Sequence, residues 1–278
     1  MGRLRISAIS YLNTAPLMWD FEHGSVGSEF EISYTIPSAC AEALRVGTAD
    51  IGIIPAAAYA SIPELVILPG VAIASRRPVR SILLVSKLPL ERVRSVALDT
   101  SSMTSVALIK VILARWIGGE HVFTSMQPDV EQMLSAHDAA LLIGDPALQV
   151  DRSRYHCYDL AEEWIRYTGK PFVFAFWALR KAALQNASPN MDLAAVFQES
   201  RNHGLEPGNL GDIARTRGSR LGLSEAEVKT YLTQSIYYHL DSDCLEGLQL
   251  FYRYAAEYGV LPPAPALQFY EALKPAIR

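Results

Sequence analysis

The 278-residue chain lacks most of the features that announce a class of function. Its three cysteines, Cys40, Cys157 and Cys244, lie far apart with no C-x-x-C spacing, so neither a disulfide framework nor a zinc knuckle is expected. The six histidines are scattered and form no H-E-x-x-H pair, so no metal is expected. There is no Lys/Arg-rich run, and the formal net charge is -4, which removes the electrostatic case for a nucleic-acid partner. No apolar run is long enough to span a bilayer. The first residues do not read as a secretory signal, because Arg3 and Arg5 alternate with Leu4, Ile6 and Ala8 at strand period. A cytoplasmic protein with no membrane partner is expected. Phosphate-cradling G-x-G-x-x-G and G-x-x-x-x-G-K-[ST] loops are missing, as is a G-x-S-x-G elbow.

Half of the residues are hydrophobic, enough for the core of one large domain or two lobes. RLRISAI, FEISYTI, ADIGIIP, ELVILPGVAIAS and VRSILLVS read as strands, with a helix at ACAEALRV that Ser38 can cap and Gly47 ends. Such alternation predicts a mainly parallel α/β sheet. Near Lys87 the pattern restarts: SVAL and DAALLIG are strands, SVALIKVILARWI is an amphipathic helix before Gly118, and PFVFAFWALRK is an aromatic strand. Beyond Lys181 the chain reads as helical, with a capping box at Ser224 and Glu227. A helical tail without a sheet must dock on a core it does not own. The expectation is therefore two lobes with crossings near Ser86 and Phe176: lobe 1 from residues 1–86 and 178–278, lobe 2 from 87–177, the tail on lobe 1, and the site in the cleft.

Four polar turns fall at strand ends: Ser10-Tyr11-Leu12-Asn13-Thr14, Ile36-Pro37-Ser38, Asp99 to Ser105, and Gly144-Asp145-Pro146. The third carries five hydroxyls just before a helix, where backbone N–H groups and the positive helix end suit a carboxylate. An N-cap needs only one of those hydroxyls. Asn13 and Asp145 read equally as turn formers. Trp164, Phe172, Phe174, Phe176 and Trp177 read as core. On these grounds the cleft is a hydroxyl- and amide-rich pocket for a small anion, which does not separate an enzyme from a binding protein.

Taken together, SYLNTAPL, ADIGIIPAAAY, RSILLVSK, LDTSSMTSVALIKVIL, ALLIGDPAL and TGKPFVFAFWALRK resemble the chorismate dehydratase family of the futalosine route to menaquinone. They occur in that family's order over most of the first 180 residues. The resemblance implies a two-lobed α/β fold of the type II periplasmic-binding-protein kind, turned to catalysis. It implies a hydro-lyase that converts chorismate to 3-[(1-carboxyvinyl)oxy]benzoate without cofactor or metal. Asn13 and Ser81 are then the catalytic pair. Ser10, Tyr11, Thr14 and Ser38 would bind substrate from one side, and Ser102, Thr104, Ser105, Gly144 and Asp145 from the other. Met103 departs from the arginine that the family often carries in this turn. A sister enzyme making 1,4-dihydroxy-6-naphthoate is the nearest alternative, although its first turn resembles a Pro-Asn-Asp run. The other is a non-catalytic solute-binding protein for small anions. A monomer or homodimer is expected, with chorismate as the small-molecule partner.

Overall fold

The computed structural model describes residues 3–186 and 191–271. The opening alternation forms β1 (Leu4–Ile9), buried along almost its whole length, as a central strand covered on both faces must be. It lies between β2 (Phe30–Thr35) and β3 (Ile51–Pro55), in a sheet completed by β4 (Leu65–Ser75) and β10 (Phe172–Arg180) in the order β2-β1-β3-β10-β4. A second sheet holds β5 (Ile82–Ser86), β6 (Ser95–Asp99), β7 (Val122–Met126), β8 (Ala139–Ile143) and β9 (His156–Asp159) in the order β7-β6-β8-β5-β9.

Both sheets are mixed, which corrects the mainly parallel expectation. β1 runs parallel to β2 and β3, and β6 parallel to β7 and β8. β10 is antiparallel to β3 and β4, and β5 antiparallel to β8 and β9. Each lobe receives one strand as the chain crosses, and that strand runs against its neighbours. The crossings also move. β5 belongs wholly to the second sheet and β10 wholly to the first, so the chain passes between lobes at residues 76–81 and 169–171 rather than near Ser86 and Phe176. Composition misplaced them because the Lys87–Pro89 break is a turn inside the second lobe.

The helices follow from capping and patterning. In lobe 1 these are α1 (Trp19–His23), α2 (Pro37–Val46) and α3 (Ala56–Tyr59). Lobe 2 has α4 (Thr104–Ile112), α5 (Val130–Ala136), α6 (Gly144–Leu148) and α7 (Leu160–Thr168). Ser38 does not cap α2: Pro37 sits at its first turn, where a missing N–H costs nothing, and the cap position falls to Ile36. A π-helical turn, Leu113–Ile117, continues α4 towards Gly118. The tail consists of α8 (Leu193–Gly204), α9 (Pro207–Leu221), α10 (Glu225–Thr230) with its Ser224–Glu227 capping box, and α11 (Ser242–Glu257). α8 packs on the segment after β1 and on β4, which docks the tail on lobe 1, while α11 lies on both β10 and α4 and so touches both lobes. Trp164, Phe172, Phe176 and Trp177 are fully buried core residues.

Candidate active site

The chain leaves β1 through Ser10, whose N–H still pairs with the Thr35 carbonyl at 3.0 Å. It then enters a tight helical segment, Leu12–Met18, in which every residue is buried. α8 clamps this segment. Ser200 donates to the Leu17 carbonyl at 2.9 Å, and a Cβ on Gly204 would lie 2.0 Å from the Pro16 carbonyl oxygen, so only glycine permits the approach. Asn13 is thereby held rigid. Its own carbonyl accepts from the Tyr238 phenol at 2.9 Å. The Tyr11 phenol reaches across to lobe 2 and donates to Ser101 Oγ at 3.1 Å.

The turn after β6 spends most of its polar groups on itself. Asp99 is buried, and its Oδ1 accepts from the Ser101 N–H at 2.8 Å and the Ser101 hydroxyl at 2.6 Å, while Oδ2 accepts from the Ile143 N–H at 3.2 Å. Burial raises the Asp99 carboxyl above its ordinary value, and these donors only partly oppose the shift. The Thr104 hydroxyl accepts from the Ala57 N–H at 3.1 Å and donates to the Phe174 carbonyl at 3.0 Å, which pins the start of α4 to lobe 1. The exposed Thr100 hydroxyl has no partner among the described residues, and neither do those of Ser102 and Ser105. The two serines stand at the start of α4, where first-turn N–H groups lack intrahelical partners.

The corner after β8 closes the third side. Gly144 has φ +61°, and a Cβ there would meet the Tyr11 ring at 2.4 Å, so both the turn and the packing require glycine. The Gly144 N–H donates to the Ser81 carbonyl at 2.8 Å. The Asp145 carboxylate accepts from the Leu12 N–H at 2.9 Å, a bond between lobes, and burial raises its pKa despite that donor. Ser81 lies immediately before β5, fully buried, and its hydroxyl accepts from the Tyr231 phenol at 2.8 Å.

These three corners meet at one pocket. Tyr11, Asn13, Ser102, Thr104, Ser105 and Gly144 line it. Ser10, Thr14, Ser38, Ser81 and Asp145 do not. Ser10 is exposed, and its hydroxyl faces the Thr35 carbonyl at 3.3 Å. Thr14 is buried with its hydroxyl turned to Asn13 Oδ1 at 3.4 Å, and Ser38 contributes a backbone N–H to the Ser101 carbonyl at 3.1 Å. The rest of the wall is apolar: Ile9, Pro37, Pro55, Ile73, Ile82, Met103, Ile143, Phe174 and Ala175. Sequence reading missed this apolar half, because an isoleucine at a buried strand end looks the same whether it meets core or ligand. Phe174, read as core, is among these wall residues. The lining holds no lysine, arginine or histidine, and no carboxylate. An anion there would meet hydroxyls, a carboxamide and first-turn amides. Among the described residues no group of three or more His, Cys, Asp or Glu could hold a metal, and no helix is long and apolar enough to cross a membrane.

Comparison with known proteins agrees with this architecture. A protein from Archaeoglobus fulgidus superposes with a TM-score of 0.74 at 17% identity, covering 93% of this chain and 98% of its own. A Candida albicans protein with the generic periplasmic binding protein fold gives 0.64 at 13% identity, covering 95% and 92%. In sequence, the chain is 30% identical to the chorismate dehydratase of Thermus thermophilus over 273 residues, which is 92% of this chain and 94% of that protein. The family model described as menaquinone biosynthesis matches residues 4–257. The chain thus has the periplasmic-binding-protein fold and belongs to the menaquinone biosynthesis family.

Proposed function

We propose that this protein is a chorismate dehydratase, a hydro-lyase of the cytoplasm that converts chorismate to 3-[(1-carboxyvinyl)oxy]benzoate on the futalosine route to menaquinone. One observation carries the reading. The Asn13 turn, the start of α4 and the Gly144 corner come from three of the stretches that resemble the dehydratases, and all three close on one pocket.

The chemistry suits such a lining. Chorismate carries a ring carboxylate, an enolpyruvyl ether at C3 and a hydroxyl at C4. The C3–H is vinylogous to the ring carboxylate, so its electron pair can delocalise through C2 and C1 into that group. Return of the pair forms the C3–C4 double bond and expels hydroxide from C4. The expelled hydroxide and the C3 proton together make water, the ring becomes benzenoid, and no electrons are gained or lost. The protein's work is to orient a dianion and keep solvent from the carbanion. Ser102, Ser105 and the first-turn amides of α4 hold a carboxylate, with the helix dipole adding to the attraction.

Asn13 orients the reacting face. A carboxamide is not basic near neutral pH, and Asp145 is engaged with the Leu12 N–H. The proton therefore passes to the substrate's own enolpyruvyl carboxylate, folded over C3. Ser81, behind Ile82 and bonded through its carbonyl to Gly144, holds that wall in place. The test is incubation of the purified protein with chorismate, followed by mass and ultraviolet spectra. An aromatic product lighter by one water supports the proposal. Chorismate that binds and stays intact would leave a solute-binding role instead.

A further inference from the structure

The tail supplies two tyrosines to the cleft that the reaction scheme leaves unused. Tyr231 opens a π-helical turn, Tyr231–Ser235, directly after α10, and such turns recur at functional sites. Its side chain is 1% exposed. The phenol donates to Ser81 Oγ at 2.8 Å and lies beside the Asn13 carboxamide, within the field of Asp145. Seven positions on, Tyr238 donates to the Asn13 carbonyl at 2.9 Å. Asn13 in lobe 1 and Ser81 at the end of the crossing into lobe 2, far apart in sequence, are thus braced from behind by one short stretch of the tail.

We propose that Tyr231 is a positioning residue for the dehydration, acting through Ser81 and Asn13; the inference rests on the dehydratase reading. A serine hydroxyl has one proton and two lone pairs. With Tyr231 donating into one lone pair, the Ser81 proton is left to be given elsewhere. The same phenol lies beside the Asn13 carboxamide, so its loss changes that group's surroundings. Burial drives the Tyr231 phenol far above its ordinary pKa, partly opposed by the Ser81 bond, so it stays a neutral donor across the physiological range. Phenylalanine at 231 would fill the same space and leave the Ser81 hydroxyl free to turn.

The experiment compares wild type, Y231F, S81A, the double variant and Y59F. Tyr59 is also buried but lies outside the lining of that pocket; its phenol donates to the Ala266 carbonyl at 3.2 Å and accepts from the Gln268 N–H at 3.0 Å, so it measures the cost of losing a tyrosine hydroxyl alone. Y231F is expected to lower kcat roughly ten- to hundredfold with KM little changed. Y59F is expected to lower the melting temperature alike and leave kcat intact. The double variant is expected to be no slower than S81A, because groups that act through one another do not add. Full kcat in Y231F, or a double variant slowed by the product of the two single effects, overturns the inference. Wild type that leaves chorismate intact defeats the dehydratase reading alone. The Asn13 side-chain amide signals in the nitrogen-15 spectrum then decide: they are expected to shift in Y231F and stay in Y59F, and unmoved signals in Y231F overturn the proposal.

Discussion

The two lobes share a sheet topology and differ in the segments that leave their equivalent strands. β1 and β6 each lie between two parallel neighbours, β10 and β5 each run back beside the third strand, and β4 and β9 close one edge. After β1 the chain makes a buried, proline-containing tight segment that presents a carboxamide. After β6 it makes a regular helix whose open N-terminus faces the pocket. One lobe therefore contributes a fixed hydrogen-bonding group and the other an anion seat. The difference begins in sequence: SYLNTAPL places Pro16 where a regular helix would need an N–H, whereas TSVALIKVI is an uninterrupted amphipathic run.

The sharpest way to break this division is Asn13→Ala. If lobe 1 provides the reacting-face contact and lobe 2 the seat, kcat should fall roughly hundred- to thousandfold, as for loss of one preorganised donor. Chorismate affinity, measured by calorimetry, should largely survive. Retained turnover would remove Asn13 from the mechanism.

A second comparison lies within the lobe 2 turn. Thr104 is committed to the Ala57 N–H and the Phe174 carbonyl, whereas Ser105 is uncommitted. Thr104→Val should cost about 1–3 kcal/mol of stability, because two buried backbone groups lose their partner. Ser105→Ala should change stability by less than about 0.5 kcal/mol and show its effect in KM. Denaturant titration and steady-state kinetics on both variants separate the roles. Equal stability losses would mean that the turn is uniformly structural.

The contrast explains what sequence reading could reach. Strands covered on both faces, such as β3 and β8, stand out as short apolar runs. The edge strands β7 and β9 do not, since VFTSM and HCYD are mostly exposed or half-exposed and carry no pattern. Helix ends were legible where one residue decides them, as at Gly47, and misread where Pro37 and Ser38 competed for the cap. In the site, residue type gave the polar turns and their order along the chain. It could not say which hydroxyls the protein would consume. Thr14 and Ser101 resemble Ser102 and Ser105 in chemistry, and only the fold shows that the first two are turned to Asn13 and Asp99. Tyr231 and Tyr238 gave no signal, because a tail helix reads as packing until it is seen behind Asn13.

The smallest expected effect concerns the carboxylate that spans the lobes. Asp145 sits in lobe 2, accepts from the Leu12 N–H of lobe 1, and has its pKa raised by burial. A carboxyl with a raised folded-state pKa holds its proton more tightly folded than unfolded. Its contribution to stability is therefore full below the unfolded value and is lost as pH rises through the folded one. Asp145→Asn keeps an oxygen for the Leu12 N–H and removes the charge. The stability of D145N relative to wild type should thus increase between about pH 3 and about pH 7, when both are unfolded in denaturant across that range. A difference that stays level would mean the bond to Leu12 offsets desolvation completely, and one that falls would make the ionised carboxylate a net clasp between the lobes.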